Sequence, residues 1–270
     1  LVLAVVSGVS TISSGRLRGT LPPLNPNELA FTAAVCLIWT MGRVLRGQEH
    51  LLDVGVIVGL MGVIFLTGSR TTLLAVGLSA VLMLTRFERV SITAFALGLC
   101  ALPVAAYVLL ETDTLASVFG RGGSSNISTL ANRTIAWESA FERPQNWHDT
   151  FFGSGLSVKK VEVPGQWWNT QIFDSSWVSA LVQGGYVGLV LIGVWVLAAL
   201  TAVLRSVHRW AAVWIGLCVC ISFRSVLESG LFDASSAFLC FWLTSLATLG
   251  PPSVVCADYL PIQTRDAQPA

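Results

Sequence analysis

Apolar residues gather in long, nearly unbroken stretches at about residues 29–42, 51–67, 71–85, 90–110, 176–204, 210–227 and 234–250. Each stretch is close to, or a little below, the length a helix needs to cross about 30 Å of hydrocarbon. A further piece, residues 1–13 (LVLAVVSGVSTIS), is too short to span and lacks the basic start of a signal peptide. It reads as the tail of a helix cut at the chain start, with more helices upstream. The expected fold class is all-α: a polytopic transmembrane helical bundle forming one membrane domain over residues 1–270. Residues 111–175 then form a long, partly helical extracytoplasmic loop, because about 65 residues is too long for an unstructured connection. No internal repeat is visible, and residues 257–270 form a polar tail.

Composition agrees. The chain is 54% apolar and carries 16 Lys and Arg against 15 Asp and Glu, under half of the roughly 68 charges expected of a soluble chain this long. With a mean hydropathy of +0.71, a water-soluble globule and a disordered chain are both excluded. A net charge of +1 leaves no basic field for nucleic acid. Cys36, Cys100, Cys218, Cys220 and Cys240 fall inside apolar stretches and Cys256 stands alone. They read as small core residues rather than a disulfide framework or a metal site.

Alternating the predicted spans puts Arg43, Arg46, Arg86, Arg89, Arg205 and Arg209 on one face in short loops, which makes that face cytoplasmic. The opposite face receives residues 14–28, the Gly68–Arg70 turn, the long loop and the segment around Arg224 to Asp233. Membrane segments hold few ionisable residues without reason, so those on this face are the functional candidates. Arg70 sits between FLTGS and TTLLAVGL, where it either meets an anionic ligand beside a helix N-terminus or snorkels to lipid headgroups. Arg224 and Glu228 stand four apart and are spaced to pair, as a structural salt bridge or as part of a shared polar cavity. Arg16 and Arg18, in RLRGTLPPLNPNELA, face the same side in an extended segment that ends in a helix start; they read equally as interfacial cations of a rigid turn.

Within the long loop, residues 130–143 (LANRTIAWESAFER) place Ile135, Ala136, Ser139 and Ala140 on one face, which predicts an amphipathic helix on the membrane or over a cavity. Arg133 lies in its first turn, against the helix dipole, where a partner anion or the surface accounts for it. FFGSG supplies a tight turn, and WWNTQIFDSSW brings three Trp to the bilayer re-entry, as in an interfacial aromatic belt. Asp174 in that segment is both a plausible helix N-cap and a plausible proton acceptor. Gly184, Gly185 and Gly188 allow close helix packing.

Taken in order, RLRGTL, PLNPNELA, TGSRTTLLA, NRTIAW with FFGSG, LVQGGYVGL and FRSVLESGLFD resemble the O-antigen ligase and polysaccharide polymerase superfamily over nearly the whole chain. The resemblance implies a polytopic inverting glycosyltransferase that moves a glycan from a polyprenyl pyrophosphate carrier to an acceptor hydroxyl on a glycan or lipid. The reaction runs outside the cytoplasmic membrane among membrane lipids, with no nucleotide sugar, metal or other cofactor. It further implies that Arg70 and Arg133 hold the pyrophosphate; Arg16, Arg18, Arg224 and Glu228, polar residues on the same outward side, are expected to line the substrate cavity. Where the family commonly carries His-Asn, eleven residues before Gly185, this chain has Asp174 and Ser175. Asp174 is the expected base, with His148 and Glu228 as rivals. The alternative reading is a transporter or flippase of a lipid-linked or anionic solute, which usually shows an internal repeat.

Overall fold

Asn25 starts the first helix. Its side chain accepts the Glu28 N–H at 2.8 Å, and Pro26 takes the first helical position, where a missing N–H costs nothing. Helix α1 therefore runs Pro26–Leu45, beginning before its apolar run and placing Asn27 and Glu28 in the first turn. The computed structural model describes residues 10–13, 16–20, 23–48, 50–86, 133–142, 146–162, 170–206 and 210–249. Helices α2 (Leu51–Thr67) and α3 (Arg70–Leu84) follow the predicted runs. They reverse direction within two residues because Gly68 adopts a left-handed φ of 63° at the end of α2. Beyond them come α4 (Arg133–Phe141), α5 (Trp147–Phe152), α6 (Ser176–Arg205), α7 (Ala211–Leu227) and α8 (Ser236–Leu249).

The described structure is mostly helical, as expected, and two small sheets of short strands join the helices. Strands β1 (Ser10–Ser13), β2 (Arg16–Thr20) and β3 (Pro23–Leu24) form an antiparallel sheet in chain order, with Ser13 opposite Arg16 and Gly19 opposite Leu24. Residues 10–13 are thus strand rather than the tail of a helix: Thr11 and Ile12 are β-branched, and the segment pairs antiparallel with Arg16–Gly19. Strands β4 (Lys160–Glu162) and β5 (Thr170–Ile172) pair antiparallel. Residues 1–9, the apolar run at 90–110, loop residues 111–132, Arg89, Arg209, Trp167, Trp168 and the tail at 257–270 lie outside the described residues.

Helix α7 sits at the centre, packed against α1, α3, α6 and α8. Leu37, Ile38, Ile64, Met83, Val213 and Leu217 fill one side of it, and Phe31, Val196, Ile215, Ile221 and Phe241 the other. A smaller cluster joins Ala136 and Ala140 of α4 to Val161, Phe173, Val178 and Val182, so the expected apolar face of that helix seats it on the start of α6. Helices α1 and α6 are long and apolar enough to cross a membrane, while α2, α3, α7 and α8 are shorter apolar helices. Val190, Leu191, Val194 and Leu197 lie exposed along α6.

Several of the arginines assigned to one face do gather at one end of the bundle. Arg43 reaches Asp53 at 3.5 Å, the Arg46 guanidinium lies 3.0 Å from the centroid of the Trp210 ring, and Arg86 donates to the Leu204 carbonyl. Each therefore ties two segments together at that end. Asn27, Arg70, Ser176 and Leu227 occupy the opposite ends of α1, α3, α6 and α7.

Helix α6 is broken at Gly185, whose φ of 63° and ψ of −162° are not helical. The break releases the carbonyls of Val182 and Gln183 from their usual partners one turn on. The turn after α5 takes them up: Ser154 N–H donates to Val182 O at 2.9 Å and Gly155 N–H to Gln183 O at 3.1 Å. Such backbone-to-backbone contact leaves no room for a Cβ. One on Gly185 would overlap the Phe151 carbonyl, and one on Gly153 the Gln183 carbonyl. The FFGSG turn and the LVQGGYVGL break are therefore complementary parts of one joint. Gly185→Ala is expected to cost about 2 kcal/mol and to speed amide exchange at Ser154 and Gly155, measured by hydrogen exchange in detergent. Unchanged protection at those amides would show that the joint does not depend on Gly185.

Candidate active site

The polar end of the bundle is assembled from five separate parts of the chain. Strand β2 delivers Arg16, whose Nε donates to the Thr67 carbonyl at 2.7 Å and whose Nη2 donates to Asn27 Oδ1 at 2.9 Å. Asn27 Nδ2 in turn faces both carboxylate oxygens of Glu228, at 3.0 and 2.9 Å. Arg133, the first residue of α4, donates from Nη2 to Glu228 Oε1 at 2.9 Å. Its Nε lies 3.6 Å from Asp174 Oδ2, just ahead of α6. A continuous polar chain thus runs Arg16, Asn27, Glu228, Arg133, Asp174.

A second ion pair lies beside it. Arg224, in the last turn of α7 and only 2% exposed, donates from Nη2 to Glu28 Oε1 at 3.0 Å, with its guanidinium 4.8 Å from the centroid of the Phe31 ring. The other Glu28 oxygen accepts from Ser236 Oγ at 2.7 Å. Ser176 fastens the entry of α6 by donating to the Glu228 carbonyl at 3.0 Å and accepting the Leu231 N–H at 3.0 Å. Arg70 opens α3, three residues after the Thr67 carbonyl that Arg16 holds, in a turn where Ser69 and Thr72 hydroxyls pair at 2.9 Å.

Both acids on Arg133 are affected by losing water. Burial pushes the Asp174 carboxyl above its usual range, opposed by the positive charge of Arg133 beside it. Glu228 is pushed up by burial as well, against the pull of Arg133 and Arg224 and with a smaller push from Asp174. Their competition for a single guanidinium defines the electrostatics here. Among the described residues, no group of three His, Cys, Asp or Glu could hold a metal ion.

Of the residues singled out from the sequence, Arg16, Arg133, Asp174, Arg224 and Glu228 converge, and Arg70 adjoins them. Arg18 is exposed on β2 and stays out of the network. His148 is 3.7 Å from Asp149 and packs with Trp147 and Phe152, apart from the acids on Arg133. Two local expectations are corrected. Arg224 and Glu228 do not pair through their four-residue spacing, because Glu228 leaves the helix in an extended conformation at the cap of α7, and each finds a distant partner instead. The N-cap of α6 is Ser175, so the Asp174 carboxylate is left to face Arg133.

The sequence reading did not single out Asn27, Glu28, Ser176 or Ser236. Glu28 in a first turn is already accounted for by the helix dipole, and nothing local marks the other three.

The family model described as O-Antigen ligase matches residues 55–193, which span α2 from Gly55 to α6 at Gly193 and include Arg70, Arg133 and Asp174. The chain belongs to the O-antigen ligase family. No curated protein and no solved structure matches it. Membership in the O-antigen ligase family makes glycan transfer of the ligase or polymerase type the activity class, with lipid-linked glycans as substrates and a membrane as the setting. The match ends before Arg224 and Glu228 and begins after Arg16 and Asn27. Three of the five residues of the polar chain, Arg16, Asn27 and Glu228, therefore come from segments on either side of the matched region.

Proposed function

We propose that this O-antigen ligase-type chain is an inverting, metal-independent glycosyltransferase, with a polyprenyl diphosphate-linked glycan as donor and a glycan or lipid hydroxyl as acceptor. The observation that carries the reading is the convergence of Arg16, Arg133 and Arg224, with Asp174 at the edge, at one end of the bundle. Guanidinium forks match phosphate oxygens bidentately and are strongest where water is excluded. Arg133 and Arg70 take the diphosphate, the latter helped by the positive end of α3. As the bond from the anomeric carbon to the diphosphate oxygen breaks, its electron pair leaves with the diphosphate and the arginines stabilise the charge that develops. The acceptor oxygen bonds to the anomeric carbon from the opposite face, and its proton passes to Asp174.

The chain is read as multi-pass in the cytoplasmic membrane with this end outside. Supporting that reading are the arginines at the opposite end of the bundle, the exposed apolar flank of α6, and the two helices of spanning length. Purified protein in lipid nanodiscs, given a polyprenyl diphosphate glycan and an acceptor, should release polyprenyl diphosphate as product forms. Arg70→Ala is expected to lower that transfer by about a hundredfold and, in cells, to leave lipid-linked precursor on the outer leaflet. Transfer at the wild-type rate removes Arg70 from the site, and precursor held on the inner leaflet points to a flippase instead.

A further inference from the structure

Two carboxylates share Arg133, and they are held very differently. Glu228 is built in: its side chain is 9% exposed, and both oxygens face Asn27 Nδ2. Its main-chain N–H donates to the Arg224 carbonyl at 2.9 Å and its own carbonyl accepts from Ser176. No part of Glu228 can leave without undoing the junction of α1, α6 and α7. Asp174 is 42% exposed and reaches Arg133 only at 3.6 Å, beyond hydrogen-bond distance. An anion that needs the outer edge of Arg133 therefore meets Asp174 first.

We infer that Glu228 is a positioning residue, the fixed seat that aims Arg133, and that Asp174 is its exchangeable partner, displaced when a diphosphate binds. The inference rests on the glycan-transfer reading and deepens it. Binding of the donor frees Asp174 from its ion pair and brings further negative charge near it, and both changes strengthen it as a base. The acceptor hydroxyl is then activated only when a donor is in place, which protects the lipid-linked glycan site from idle proton transfer. Among the described residues, the charged groups that act on Asp174 are Arg133 from α4 and Glu228 from the end of α7, and Lys160 and Glu162 are exposed on the strand that pairs with Thr170–Ile172 just before it.

The test uses the full chain in nanodiscs, with inorganic pyrophosphate and polyprenyl diphosphate as probes of binding. Asp174→Asn removes the competitor for Arg133 and is expected to bind both probes about threefold more tightly while losing transfer. Glu228→Gln removes the seat and is expected to bind them about tenfold to a hundredfold more weakly, with Glu228→Asp recovering part of the loss. In transfer assays the acid limb of kcat/KM persists in Glu228→Gln and disappears from the residual activity of Asp174→Asn. Tighter binding by Glu228→Gln, or weaker or unchanged binding by Asp174→Asn, overturns the assignment. Should Glu228→Gln fail to fold, the sign of the Asp174→Asn change decides alone. A wild-type protein that binds polyprenyl diphosphate and transfers glycan, but shows the opposite signs in the variants, defeats this inference and leaves the functional reading standing. Wild-type protein that binds neither probe defeats both.

Discussion

Arg133→Ala is expected to lower kcat/KM for glycan transfer by about a hundredfold to a thousandfold, the largest effect of any single change at the polar end of the bundle. Among the described residues Arg133 is the one side chain that meets both acids of the network, so its loss removes the proposed diphosphate ligand and also leaves buried Glu228 with the Asn27 amide and the more distant charge of Arg224. A carboxylate left that way takes up a proton more readily, which loosens the junction it holds. Arg133→Lys keeps the charge but not the fork, and should recover only part of the activity. The measurement is steady-state transfer by purified protein with a defined polyprenyl diphosphate donor. A value for Arg133→Ala within tenfold of wild type would exclude it from the reacting centre.

Arg224→Ala should show its effect in stability before activity. Arg224 is buried, ion-paired to Glu28 at 3.0 Å, and faces Phe31, and removing it leaves a carboxylate in the first turn of α1 whose other partner among the described residues is the Ser236 hydroxyl. Breaking a buried pair from one side costs about 3 kcal/mol, less where the remaining partner can reach water, as Glu28 partly can. The expected result is a marked fall in unfolding temperature in detergent, with Arg224→Met falling less because its side chain still fills the space against Phe31. Transfer should fall with it, since the turn that carries Glu28 also carries Asn27, which holds Glu228. A loss of under about 1 kcal/mol would mean that the pair stays wet.

The extents of the helices were readable along the chain because a helix that faces lipid or a helical core must be apolar over its length. The runs at 51–67, 71–85, 176–204, 210–227 and 234–250 each became a helix within a residue or two of their ends. Where an end carried its own chemistry, such as Asn25 with Pro26, the helix began there rather than at the first apolar residue. Residues 10–13 went the other way. Read alone they continue an apolar segment, but their pairing with Arg16–Thr20 is a contact between segments that hydropathy does not register.

The polar candidates show the same division. Arg16, Arg70, Arg133, Asp174, Arg224 and Glu228 stood out because an ionisable side chain in so apolar a chain needs a reason, and motif order tied them to one family. Their partners did not follow from spacing: Glu228 looked paired with Arg224 four residues away, yet it serves Arg133, and Arg224 serves Glu28. The FFGSG turn and the broken helix at Gly185 each looked like ordinary glycine chemistry, and only their mutual docking gives either a purpose.

Composition and local order alone decided that this chain would make apolar helices with a few costly charges at their ends, since burial and helix capping depend on neighbours in sequence. Which carboxylate meets which arginine, and which of them is free to let go, was decided by the folded bundle. Those choices depend on where helix ends far apart in the chain come to rest, and on how much water each charge retains there.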